Sequence, residues 1–229
     1  MGSLFMQRQC IMNLMMVDNV KSPTNLVGAS FVDQDEFDAF MEDTLAQAMY
    51  IYWQSMLYTY FGQHEKTAKL LCEKGHNEFA KGHLSSPLIP YHCLITGLSC
   101  FAAAHATKKS KYLRLANTQR KKLLGFEKNG NPNIRHYVAL INAEYYVCQK
   151  KAPKALEQYK EAIRVASERG FVHDAALASE RCGQYYLHNL KQKDEAIYRL
   201  DQAIHYWTQY GAKAKVQQLN IKYGSILSM

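Results

Sequence analysis

Cys72 and His76 stand four residues apart, and His83 follows seven residues later. On a helix the first two would share a face and could offer sulfur and nitrogen to zinc. A closed zinc site needs four ligands, and no companions lie at metal-binding spacing. His92-Cys93 and Cys100 with His105 meet the same objection. Cys182, with His173 and His188 nearby, has the residue types of a thiol nucleophile and its base. No nucleophile elbow or other enzyme signature surrounds it, and the adjacent Gly183 marks a packing position. There is no G-x-x-x-x-G-K-[ST] phosphate loop, because Gly125 and Gly130 lead into no Lys-Ser/Thr. The chain is accordingly read as having no catalytic residue, no cofactor and no metal.

Two carboxylates draw more notice. Glu144 and Glu180 each interrupt a small or apolar helical stretch. If they face inward they must pair with a cation or take up a proton. Arg181 and Arg135 are the candidate partners, in a structural role. Asp33, Asp35, Glu36 and Asp38 cluster where a helix would start, a place where acids favour the helix dipole. The strongest lead is basic. Lys108, Lys109, Lys111, Arg114, Arg120, Lys121 and Lys122 fall within fifteen residues, with Tyr112 interleaved. On a helix Lys111, Arg114 and Lys121 or Lys122 would face solvent while Leu113, Leu115, Leu123 and Leu124 pack. Such a stripe could meet the phosphates of a nucleic acid or another polyanion. The ordinary account is the solvated face of a basic protein.

The bulk composition sets the frame. The 229 residues carry a net charge of +8, are 48% hydrophobic and 21% charged, and include 16 tyrosines but only 5 prolines. Few breakers and many aromatics suit long packed helices. The six cysteines are scattered without a C-x-x-C pair, which suggests reduced thiols and a cytoplasmic chain. No run of about 18 uninterrupted apolar residues suggests a membrane span.

The elements that must position these groups come from a repeat. Ala155-Leu156, Tyr159, Ala162-Ile163, Ala166 and Gly170 are answered by Ala196-Ile197, Leu200, Ala203-Ile204, Trp207 and Gly211, at a constant offset of 41 residues. Alanines seven apart, with larger apolar residues beside them, form one helix stripe. Gly170 and Gly211 follow the last apolar turn, where a left-handed residue ends a helix. Tyrosine-rich stretches, Tyr145-Tyr146 and Tyr185-Tyr186, precede each copy. Ala68, Cys72, Gly75 and Phe79 form a weaker copy 87 residues before the first.

These patterns predict an all-α chain, an α-solenoid of antiparallel helix pairs in a tetratricopeptide-like superhelix. One domain, 1–229, would hold N-terminal helices and linker over 1–43, pairs at 44–82, 91–124, 133–170 and 174–211, and a capping helix at 212–223. Leu4 to Asn19 reads as a helix burying Phe5, Ile11, Leu14 and Met15. Asp33 to Glu42 reads as a second, and Gly82 to Pro90 as a linker.

Gly170-Phe171, Asp174-Ala175-Ala176-Leu177-Ala178-Ser179-Glu180 and Gln184-Tyr185-Tyr186-Leu187, with Trp207 to Val216, resemble a motif of one protein class. It is the tetratricopeptide-like helical region of large multidomain signalling proteins, which follows an AAA-like (STAND-type) ATPase coupled to kinase or cyclase outputs. Tyr60 to Ala68 resembles its first hairpin. The resemblance spans roughly Lys21 to Tyr223. It implies a scaffold or relay whose partners are proteins or the adjacent domains of a larger chain. The family's catalytic parts are not in this sequence.

Overall fold

The computed structural model describes residues 2–15, 23–24, 26, 39, 42–75 and 88–227. Among these residues there are ten α-helices and no strand, as the all-α expectation requires. The chain divides into two compact units, 1–123 and 124–229. The division falls inside a helix, where the sequence reading placed no boundary.

The first unit contains α1 (Gly2–Met15), α2 (Thr44–Tyr60), α3 (His64–Leu70), α4 (Leu88–Thr107) and most of α5 (Ser110–Lys128). A single π turn, Leu71–Gly75, extends α3. Asp43 caps α2, its Oδ1 accepting from the Ala46 N–H at 2.7 Å. Gly62, at φ 74°, turns the chain from α2 into α3. α1 packs on α2, and α2, α3 and α4 pack on one another. A seam of hydroxyls ties the last three: Thr59 Oγ1 lies 2.8 Å from Ser99 Oγ, which is 3.1 Å from His64 Nδ1. The Tyr60 and Tyr91 hydroxyls also meet, joining α2 to α4.

α1 corrects one expectation. Its buried stripe is Gln9, Cys10, Asn13 and Leu14, whereas Ile11 is 43% exposed. The two polar residues can be buried because the Gln9 amide donates to Asn13 Oδ1 at 2.7 Å. The Phe5 side chain, residues 33–38 and 40–41 of the helix expected over 33–42 with its acidic cluster, and His76 and His83 lie outside the described residues. Pro90 is not a linker residue: it sits in the first turn of α4, where a missing N–H has no intrahelical acceptor to leave empty. α4 is also long and apolar enough, by length and composition, to cross a membrane. Most of it is buried, as a core helix is.

The second unit holds α6 (Arg135–Cys148), α7 (Ala152–Glu168), α8 (Val172–Tyr185), α9 (Lys193–Tyr210) and α10 (Lys213–Leu227). A π turn, Tyr186–Leu190, follows α8. Each helix packs on the next. The alanine stripe is buried as the repeat requires: Ala155, Ala162, Ala166, Ala196 and Ala203 are all essentially inaccessible. Gly170 and Gly211 adopt φ 77° and 86° and end α7 and α9. Lys108, Lys150 and Lys191 also adopt left-handed conformations, at φ 60°, 55° and 58°, after α4, α6 and the second π turn. A lysine there suffers the Cβ strain that glycine avoids, but brings positive charge to the negative end of a helix.

Candidate functional site

The basic run lies on α5 and the two residues before it, all in the first unit. Tyr112, Ala116, Gln119 and Leu123 form the buried side. Lys111, Arg114, Lys121 and Lys122 are exposed, and Arg120 is half-buried off their face. Lys108 and Lys109 are exposed as well but engaged. Lys108 Nζ donates to the His105 carbonyl at 2.6 Å, and Lys109 Nζ lies 3.6 Å from Glu65 Oε1. Lys109 and Lys111 flank the Tyr112 ring at 5.8 and 5.2 Å from its centroid. The structure thus brings four of the seven predicted cations to one side of α5, turns Arg120 away from them, and spends Lys108 and Lys109 locally.

Beside this face is a pair that sequence spacing missed. Cys72, on the π turn after α3, interacts through its side chain with Cys100 of α4. The Cys100 thiol donating to Cys72 lowers the latter to about 7, against burial, and the Lys111 ammonium adds to the effect. Cys100 is fully buried and pushed well up. Cys100 is 28 residues from Cys72, and no local pattern announces the pairing.

The buried carboxylates are in the second unit. Glu144 of α6 receives three donors: Arg181 Nε at 2.7 Å and Nη2 at 2.9 Å from α8, and the Tyr159 hydroxyl at 2.7 Å from α7. Burial would lower Arg181, but the Glu144 charge and its hydrogen bonds more than offset it, so the guanidinium is held strongly protonated. Arg135 does not take part; it pairs with Glu161 at 2.9 Å. Glu180 is met by Lys215 Nζ at 2.8 Å from α10, Gln184 at 3.1 Å and the Trp207 indole N–H at 3.3 Å from α9. Lys215 is fully buried, and its pKa is lowered by burial in spite of Glu180. Lys215 went unrecognised as a partner because a lysine in a short terminal helix reads as a surface residue. A third buried contact, His136 Nε2 to Asp174 Oδ2 at 2.9 Å, again joins α6 to α8, with Phe171 stacked 4.6 Å from the imidazole.

The remaining candidates act in packing. Cys182 is buried, and burial raises its thiol to about 12, far from a thiolate nucleophile. His173 contacts Asp174 at 3.3 Å and lies tilted against Tyr210, ring centroids 5.2 Å apart. Among the described residues, no group of three His, Cys, Asp or Glu side chains gathers at metal-binding distance. An open cavity of about 460 Å³ on the second unit is lined by Arg135, Glu157, Gln158, Lys160, Glu161 and Arg164. Several of its charges are already paired: Arg164 reaches Glu161 at 2.9 Å and Glu168 at 2.6 Å.

No protein-family model, curated protein or solved structure matches this chain.

Proposed function

We propose that the chain is a non-catalytic helical-repeat module. In this reading α6 to α10 stack as antiparallel pairs in a tetratricopeptide-like solenoid. The module serves protein–protein interaction or relay between domains in the cytoplasm, and is a relative of the helical region that follows STAND-type ATPases in signalling proteins. One observation carries the reading. Buried ion pairs and hydrogen bonds join alternate helices at nearly one repeat's separation: Glu144 to Arg181 at 37 residues, His136 to Asp174 at 38 and Glu180 to Lys215 at 35. Consecutive helices pack, and every second helix is pinned, as expected where each hairpin lies on the last. The buried carboxylates Glu144, Asp174 and Glu180 are each met by a basic side chain, which suits a scaffold.

Tyr198 on α9 is 59% exposed and Ile221 on α10 is 71% exposed, large apolar groups left outside the core. They are the places to look for a partner. A photo-crosslinking residue at Tyr198 or Ile221 in the cell should give one discrete protein adduct. The same residue at exposed Glu157 should give none. Equal adducts at all three positions, or none anywhere, would count against an interaction module.

A further inference from the structure

We propose that the exposed face of α5 binds the phosphate backbones of a nucleic-acid duplex, lying across its major groove. The inference concerns the first unit alone and stands whether or not the second unit is a solenoid.

The face is unusually uncompensated. From Ser110 to Phe126 the helix contains no acidic residue. Lys111, Arg114, Lys121 and Lys122 are exposed, and none has a carboxylate within ion-pair distance among the described residues. The nearby Glu65 is engaged by Lys109, outside this set. At 3.6 residues per turn the four cations and exposed Thr118 fall within an arc of about 100°. They form two pairs, Lys111 with Arg114 and Lys121 with Lys122. Seven residues separate Arg114 from Lys121, which is about 10.5 Å along the axis. A B-form major groove is about 12 Å across between its phosphate rims. Each pair can therefore sit over one rim, with Thr118, a small hydroxyl residue, over the gap.

The same geometry argues against the other polyanions. Single strands are held by stacking bases on exposed aromatic rings. Tyr112, the aromatic residue within the run, is only 2% exposed. A bilayer surface favours large apolar residues beside the cations. The exposed large apolar residues among those described, Ile11, Leu45, Tyr198 and Ile221, all lie on other helices. Contacts to phosphates alone carry no sequence information, so the binding is shape- and charge-directed.

Fluorescence anisotropy with a short DNA duplex, titrated with the full chain at several salt concentrations, tests this. Four phosphate contacts give a log–log salt slope of about −3.6, or on the order of a 100-fold loss between about 50 and 200 mM salt. Lys121→Glu with Lys122→Glu should weaken binding at least about tenfold and flatten the slope by about 2. Lys151→Glu with Lys213→Glu changes the net charge equally in the second unit and should leave affinity within about twofold. Circular dichroism checks folding, and Lys111→Gln with Arg114→Gln is the milder second variant. The proposal fails if the duplex is not bound at about 25 mM salt, or if the second-unit variant loses as much as the first. It also fails if a single strand of equal length or phosphatidylserine vesicles bind more tightly than the duplex.

Discussion

Arg181 of α8 holds both carboxylate oxygens of Glu144 on α6, Nε to Oε1 at 2.7 Å and Nη2 to Oε2 at 2.9 Å, with both side chains largely withdrawn from water. A planar guanidinium against a planar carboxylate fixes distance and orientation together. The pair therefore sets how α6 and α8 lie along each other, while Tyr159 of α7 supplies the third donor. Desolvating two charges offsets most of their attraction, so net stabilisation is not the main consequence. Removing one partner is another matter.

Arg181→Met should destabilise the second unit by about 3–5 kcal/mol, because it strands a buried carboxylate. Glu144→Leu together with Arg181→Leu should recover most of that loss. Urea unfolding followed by circular dichroism measures both. A single variant as stable as the parent would show that Glu144 is solvated or protonated.

The two small-residue stripes make a second test. Ala162 and Ala203 are at most 1% exposed. Ala162→Leu or Ala203→Leu should cost about 1–3 kcal/mol, since room for the extra Cγ, Cδ1 and Cδ2 must be made between packed helices. An unchanged melting temperature would mean the helix faces can part freely.

Glycines on α8 and α5 should respond with opposite signs to the same change. A Cβ at Gly183 would lie 2.8 Å from Leu200 Cγ and 3.2 Å from the Leu200 backbone nitrogen. Alanine gains roughly 1 kcal/mol of helix propensity over glycine, but overpacking costs about 1–3 kcal/mol. Gly183→Ala is expected to destabilise, because the backbone of α9 cannot give way locally. At Gly125 nothing lies within 4 Å of the added atom. Gly125→Ala should stabilise by about 0.5–1 kcal/mol. Melting curves of the two variants moving in the same direction would contradict this account.

The thiol pair predicts a pH dependence. Alkylation of Cys72 by iodoacetamide should rise with a midpoint near pH 7, where its thiol is held at about 7. Cys100→Ala should move that midpoint toward the ordinary value of 9.0, by removing the hydrogen bond that favours the thiolate. The linkage has a definite sign. Between about 7 and 9.0 the unfolded chain keeps the Cys72 proton that the folded chain has lost, so stability from this group rises with pH across that window. It is lost again as pH falls through 7. A midpoint near 9 in the parent chain would mean the two sulfurs do not interact.

Much of the second unit was legible from residue spacing. The 41-residue offset located the repeat, the alanine stripe marked its buried face, and Gly170 and Gly211 marked its helix ends. These are local signals, since a helix face and a left-handed terminus are properties of one stretch of chain. The basic face was legible for the same reason: five of the seven cations fall in one helix, and four of those share its exposed face.

What the amino acids alone determined, then, is an all-helical chain with a repeated small-residue stripe and a basic helix. Tertiary structure decided which groups meet across helices. Arg181 rather than Arg135 answers Glu144, Lys215 answers Glu180, and Cys72 finds Cys100. It also decided that Gln9 and Asn13 are buried while Ile11 is not. The physical reason is that helix periodicity is written every three or four residues. Partner choice between helices depends on packing register, to which residues 28 to 37 positions apart contribute jointly and no single stretch records.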